Sequence, residues 1–148
     1  MSDESKYVSF FVCNEEYIIN VTSVKQITRP GEFRIPPNLP YFFAGVESWR
    51  GQVLSIIDLA KLFNLESSAI EKKLVIVEMG EKNFGLLVDR VNRIENISDE
   101  WVSAVPLSME TERNRFIDGI ASLDDGARLV MKISLSRLEE LIVNCRSK

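Results

Sequence analysis

Tyr17-Ile18-Ile19-Asn20-Val21, followed by Val24 and Ile27, is met again 67 positions later as Phe84-Gly85-Leu86-Leu87-Val88, followed by Val91 and Ile94. The spacing is held without a gap. Each copy follows an apolar run, Tyr7 to Val12 and then Leu74-Val75-Ile76-Val77, and a polar turn, Cys13-Asn14-Glu15-Glu16 and then Gly80-Glu81-Lys82-Asn83. Runs rich in β-branched and aromatic residues, bounded by such turns, read as strands. A second match lies downstream. Gly45-Val46…Gly51…Leu54…Asp58-Leu59 lies on Gly119-Ile120…Gly126…Leu129…Ser134-Leu135, with about two insertions. Apolar alternation produces one such match by chance; two in the same order imply a duplicated unit. The first copy spans about residues 7–65 and the second about 74–142, and two similar lobes follow.

The rest of the chain fits around these strands. Residues 1–6 read as a disordered tail. Thr28 to Pro40 is a loop punctuated by Pro30-Gly31, Pro36-Pro37 and Pro40. Phe33, Ile35, Tyr41, Phe42 and Phe43 should pin it to the body of the protein. Asp58 is placed to cap a short helix over Leu59–Leu65, with Leu59, Leu62 and Phe63 inward. Glu66–Lys73 is a polar connector. Residues 95–116 mix turns and short extended pieces, and Met109 to Arg115 should be mobile. A hairpin over Ile117–Ile133 turns at Asp124-Asp125-Gly126, a type I′ signal. Ser134 to Cys145 has a helical apolar face, with Ser134 or Ser136 as cap and Ser136 with Glu139 as a capping box. Many short strands with two modest helices indicate a small barrel or sandwich.

One stretch carries chemistry that the repeat does not copy. Ser48-Trp49-Arg50-Gly51 sits on the turn between two strands, whereas the second copy has Leu123-Asp124-Asp125-Gly126. Arg offers a planar fork of donors and Trp a large flat face, both typical anchors of protein contacts. A purely structural turn would be expected twice. The asymmetry favours a partner-facing role for the first.

Composition removes several function classes. The net charge of −4 and the lack of a Lys/Arg cluster exclude a nucleic-acid groove. No run reaches the ~18 apolar residues that cross a membrane. The polar start, Met1 to Lys6, is not a signal peptide, and a cytoplasmic location is expected. Cys13 and Cys145 should be free thiols. With no histidine, the Ser-His and Cys-His catalytic pairs are absent, and two cysteines alone make no zinc site. Asp58, Asp89, Asp118, Asp124 and Asp125 are explained as a cap, turns and loops rather than as paired catalytic carboxylates. No enzyme activity, cofactor or metal is expected.

These residues together resemble the CheW-like domain, the adaptor of bacterial and archaeal chemosensory systems. The resemblance is carried by Glu16-Tyr17 with Val21, Val24 and Ile27, and by Gly45-Val46…Arg50-Gly51 with Val53, Ile56 and Asp58-Leu59. It continues through Leu74-Val75-Ile76-Val77, Gly85-Leu86-Leu87-Val88-Asp89 with Val91, and Gly119-Ile120, and so runs from Tyr7 to Ile142. The resemblance implies two SH3-like five-stranded β-barrels sharing an apolar core, within a domain over about residues 7–146. It implies a non-enzymatic adaptor, recruited to membrane-associated receptor arrays. Its partners would be the regulatory domain of a chemotaxis histidine kinase and the cytoplasmic tip of a methyl-accepting chemoreceptor. Val24, Gly45 and Arg50 fall on positions that face the receptor or hold its groove, and Gln26, Trp49 and Gly51 complete the expected partner site. A receptor tip is a helical hairpin, so the expected mode is helix-in-groove.

The departures from the family pattern fall around the same turn. The usual Asn-Leu-Arg-Gly is Ser48-Trp49-Arg50-Gly51, the usual Glu is Gln26, a Gly is Ile18 and a Pro is Ser55. They fit a divergent paralogue in a second chemosensory system, such as one controlling pili or surface motility. Gln26 would hydrogen-bond Arg50 less strongly than a carboxylate does, leaving Arg50 freer for a partner's acidic group. Trp49→Ala is expected to cost affinity more than stability. The alternative is an SH3-like binder of Pro-rich peptides, with Trp49, Tyr41, Phe42 and Phe43 lining an aromatic groove.

Overall fold

A computed structural model describes residues 4–66, 71–109 and 114–146. Its strands are β1 (Glu4–Val12), β2 (Glu15–Asn20), β3 (Val24–Thr28), β4 (Phe43–Trp49), β5 (Gln52–Asp58), β6 (Lys73–Met79), β7 (Lys82–Val88), β8 (Arg90–Ser98), β9 (Val102–Ser103), β10 (Ile117–Leu123) and β11 (Arg128–Ile133). Two helices follow the β5 and β11 strands, α1 (Leu59–Leu62) and α2 (Leu135–Arg146). The strands make a six-stranded sheet, β8-β1-β2-β11-β10-β9, and a five-stranded sheet, β3-β6-β7-β5-β4. The sixth strand is the two-residue β9.

The duplicated unit is visible in the pairing. Parallel β2 and β11 set Tyr17 against Met131, and parallel β7 and β5 set Phe84 against Ser55. Tyr17 and Phe84 are the residues 67 positions apart. The ladders β1–β8 and β3–β6 each slip by one residue, at Asn92 and at Lys25, again 67 apart. Further bulges precede Gly45 and Gly119. The two insertions of the second match lie in the hairpin loops. Arg50-Gly51 joins β4 to β5, and the four residues Asp124 to Ala127 join β10 to β11.

The copies do not map one to a lobe. The β1–β2 hairpin of the first copy pairs with β8–β11 of the second, and the β6–β7 hairpin of the second pairs with β3–β5 of the first. Each barrel is therefore built by exchange. The chain crosses from one sheet to the other twice, through Val21–Ser23 between β2 and β3 and through Asp89 between β7 and β8.

Alternation sorts the strand residues between cores. Leu54, Ile56, Leu74, Ile76 and Leu87 fill the five-stranded barrel, and Tyr7, Ile18, Ile97, Ala121, Leu123 and Val130 fill the six-stranded one. The opposite faces, including Val8, Phe10, Tyr17, Ile19, Ile57, Val75, Val77 and Leu86, meet in a shared core closed by Leu59, Phe63, Leu138 and Ile142 of the helices and their flanks. Each large aliphatic side chain buried there contributes about 1.5–3 kcal/mol.

Several local expectations change. β1 begins at Glu4, so residues 4–6 pair with β8 instead of forming a tail. Asp58 caps α1 through Ala60 N–H and Lys61 N–H, but the helix stops at Leu62, sooner than Leu65. The cap of α2 is Ser134, whose Oγ accepts from Arg137 N–H at 3.3 Å; Ser136 lies inside the helix, so the Ser136–Glu139 box does not form. Glu139 instead lies against the Gly80 backbone, where a Cβ would collide with its carboxylate. Asp124, Asp125 and Gly126 run left-handed in succession in a four-residue loop, not a type I′ turn. Val130, not Leu129, is the counterpart of Leu54; Leu129 is exposed, as is its own counterpart Val53. In the loop before β4, Phe33 and Phe42 pack inward, whereas Ile35 and Tyr41 are exposed. Residues 110–113 of the segment expected to be mobile, and the Cys145 side chain, lie outside the described residues.

Candidate functional site

The β4–β5 turn is a two-residue hairpin loop closed by the pair Trp49 and Gln52. Both central residues have positive φ, +50° at Arg50 and +76° at Gly51, the geometry of a type I′ turn. A Cβ on Gly51 would meet nothing within 4 Å, so glycine is needed there for its backbone and not for space. Arg50 holds a left-handed conformation that costs a residue with a Cβ roughly 1–2 kcal/mol. The Arg50 guanidinium carbon lies 4.7 Å from the centre of the Trp49 ring, a cation–π stack. Among the described residues Arg50 has no hydrogen-bond or ion-pair partner, and its side chain is exposed.

Gln26 does not bind Arg50. Its Oε1 accepts a 3.0 Å hydrogen bond from the Trp49 indole Nε1–H. Trp49 is half-buried on the interior cluster of the five-stranded barrel, which aims its N–H at β3 across the barrel's open edge. Gln26, Trp49, Arg50 and Gly51 thus form one constellation. Val24 stands two residues along β3 and packs on the shared core. Gly45 is buried and takes a different part: a Cβ there would lie 2.4 Å from the Arg34 carbonyl oxygen. It lets the loop before β4 close on the strand, with paired Arg34–Val46 bonds of 2.7 and 2.8 Å, and so holds the site from behind.

The repeat points to further residues, named in the sequence but not counted in the expected partner site. Val91 on β8 is the counterpart of Val24 and packs on the same core. Beyond them Ile27 and Ile94, again counterparts, are 39% and 57% exposed. The outer strands of both sheets therefore carry matching apolar strips. The offset of 67 was the signal that points to them.

The expected aromatic groove is not formed. Phe42 is 2% exposed in the shared core, Phe43 packs against it, and Trp49 faces the barrel interior. Only Tyr41 of the four stands in solvent.

The corresponding end of the six-stranded barrel holds a charge network. Arg128 occupies the place of Gln52 and donates to Glu16 Oε2 at 2.6 Å, to Glu95 Oε2 at 2.9 Å and to Asp124 Oδ2 at 3.4 Å. Ser9 Oγ and Asn92 Nδ2 also donate to Glu16. Burial alone would raise the Glu16 pKa. The Arg128 and Ser9 hydrogen bonds, the charge of Arg128 and the Asn92 bond outweigh it and hold the carboxyl below its ordinary value. The hydrogen bonds Arg128 donates to Glu16 and Glu95 hold it more firmly protonated. Among the described residues no His, Cys, Asp or Glu cluster could hold a metal ion.

The family model for the CheW-like domain matches residues 6–141. The chain belongs to the CheW-like family. It is similar to a probable chemotaxis protein CheW of Rhizobium etli, at 30% identity over 91% of this chain and 87% of the relative. The chemotaxis protein CheW of Klebsiella aerogenes is 25% identical over 90% of this chain and 80% of its own. The scaffolding protein CheW of Thermoanaerobacter tengcongensis, solved as a crystal structure, superposes with a TM-score of 0.82 at 26% identity, covering 93% of this chain and 92% of that one. The six- and five-stranded lobes described above are the two-lobed β fold of this CheW scaffold.

Proposed function

We propose that this CheW-like protein is a non-enzymatic chemotaxis adaptor that couples methyl-accepting chemoreceptors to a histidine kinase. The cytoplasmic receptor tip docks on β3 and the β4–β5 turn, with the Val24/Ile27 and Val91/Ile94 strips receiving the apolar face of a helix and Arg50 taking an acidic group beside it. The kinase contributes its regulatory domain. Among the described residues no helix is long and apolar enough to cross a membrane, so the membrane would be reached through the receptor.

The observation that carries this reading is Arg50: a cation at the tip of a tight turn, supported from below, without a hydrogen-bond or ion-pair partner among the described residues, and absent from the matching β10–β11 turn of the other barrel. Arg50→Glu is expected to leave the circular dichroism spectrum unchanged and to weaken binding of a purified chemoreceptor tip fragment at least tenfold, on the order of 1.4 kcal/mol. Wild-type affinity in that titration would remove the turn from the receptor interface.

A further inference from the structure

We propose that Trp49 is a positioning residue: its indole latches the five-stranded barrel to β3 and forms the platform that holds Arg50 in the orientation a partner meets. This rests on the reading of the turn as a partner site. β3 and β4 are the two outer strands of their sheet. No strand ladder joins them, and the bond from Trp49 Nε1–H to Gln26 Oε1 spans the gap between them. An indole has a single donor, and here it is committed to Gln26. Packing against the interior cluster fixes the other side of the ring. A ring held at both ends offers a stationary face, and the Arg50 guanidinium rests on that face at 4.7 Å.

Two consequences follow for recognition. Gln26 influences the partner through Trp49, because its Oε1 orients the indole that supports Arg50. Arg50 keeps its donors for the partner, since its nearest support is a π face and not a carboxylate. A planar fork offered in a fixed orientation suits a carboxylate accepting two bonds at once. A leucine at this position would have neither a donor for residue 26 nor a face for the arginine. The other barrel shows what the latch replaces: Leu123 stands in the place of Trp49, and that end is closed by Arg128.

The test uses the full chain. Trp49 and Trp101 give two indole signals in a nitrogen-15 spectrum, told apart by Trp101→Phe. Gln26→Leu should shift the Trp49 indole signal and speed its solvent exchange, leaving Trp101 unmoved. An unmoved Trp49 signal overturns the latch. Against a purified chemoreceptor tip fragment, Trp49→Phe keeps the ring and loses the donor, and Gln26→Leu loses the acceptor. Each should weaken binding about threefold to tenfold, the size of one hydrogen bond, and the double variant no more than either. A double-variant loss equal to the product of the two single losses overturns the proposal. In an Arg50→Ala background, Trp49→Phe should have no further effect; a further loss of the same size would mean that Trp49 touches the partner itself. If Arg50→Glu binds normally while the Gln26→Leu indole shift is present, the latch stands, and the partner site and the positioning role both fall.

Discussion

The two barrels share one strand order and differ at one end. In the six-stranded barrel that end is occupied by Arg128 with three carboxylates, anchored on β2, β8 and the β10–β11 loop. In the five-stranded barrel the same positions hold Gln52 and Asn83, and the closing contact is a neutral bond between Trp49 and Gln26. The Asn83 Oδ1 is buried with no hydrogen-bond partner, where its counterpart Glu16 has several. The first end turns its charges on one another. The second is closed by neutral groups and turns its cation outward. On the proposed function, duplicating a scaffold separates two tasks that compete within one barrel, since a charge committed to an internal network is unavailable to a partner.

The contrast is broken most strongly by Arg128→Ala. It leaves Glu16 inside the barrel without its counter-charge and is expected to cost on the order of 3 kcal/mol in chemical denaturation. Affinity for the receptor tip should stay near wild type while the protein is folded. Acid attacks the same network. Because the folded Glu16 pKa lies below 4.5, the stabilisation it provides is present above that pH and is lost as pH falls through the lowered folded value. Glu16→Gln should flatten that limb of a denaturation series.

At the other end, Trp49→Ala is expected to cost about 2 kcal/mol, below the ~3–5 range for fully buried aromatics because the ring is half-exposed. It should also weaken partner binding. That differs from an effect mainly on affinity, and a melt unchanged from wild type would restore that simpler expectation. The smallest change is Gly51→Ala, expected to cost roughly 1 kcal/mol through the positive φ alone, since no atom crowds the new methyl. Gly126→Ala in the other hairpin, also at positive φ with only the Ser122 hydroxyl at 3.9 Å, should cost about as much. Unequal costs would show that Arg50 adds strain of its own.

The strands and both helices were legible because period-two alternation and capping residues are local signals. So was the repeat, whose spacing survives even at the bulges. The exchange of hairpins was not, because alternation says which residues face inward and not which strand lies alongside. The site was half legible. Arg50 and Gly51 announce a turn, and the turn is there. Pairing Gln26 with Arg50 followed from charge, whereas the deciding fact was that the indole N–H reaches Gln26 from inside the barrel. Gly45 is expected to face the receptor or hold its groove and is a buried contact, because the loop that crowds it comes from eleven residues earlier. The Arg128 network had no sequence signal: Glu16 and Arg128 are 112 positions apart.

The exchanged hairpins have a mechanical consequence. β2 of one barrel runs into β3 of the other through a single short turn, and β7 runs into β8 through Asp89, which accepts from Cys13 N–H at 2.8 Å and donates to the Phe11 carbonyl at 2.9 Å. A tug on β3 is passed along covalent bonds into the neighbouring barrel, without relying on friction between two surfaces. Half of the chain would close neither barrel. The molecule is a strand-swapped dimer written as a monomer, with the five-stranded lobe, β3 to β7, threaded as one continuous segment between the β2 and β8 strands of the other.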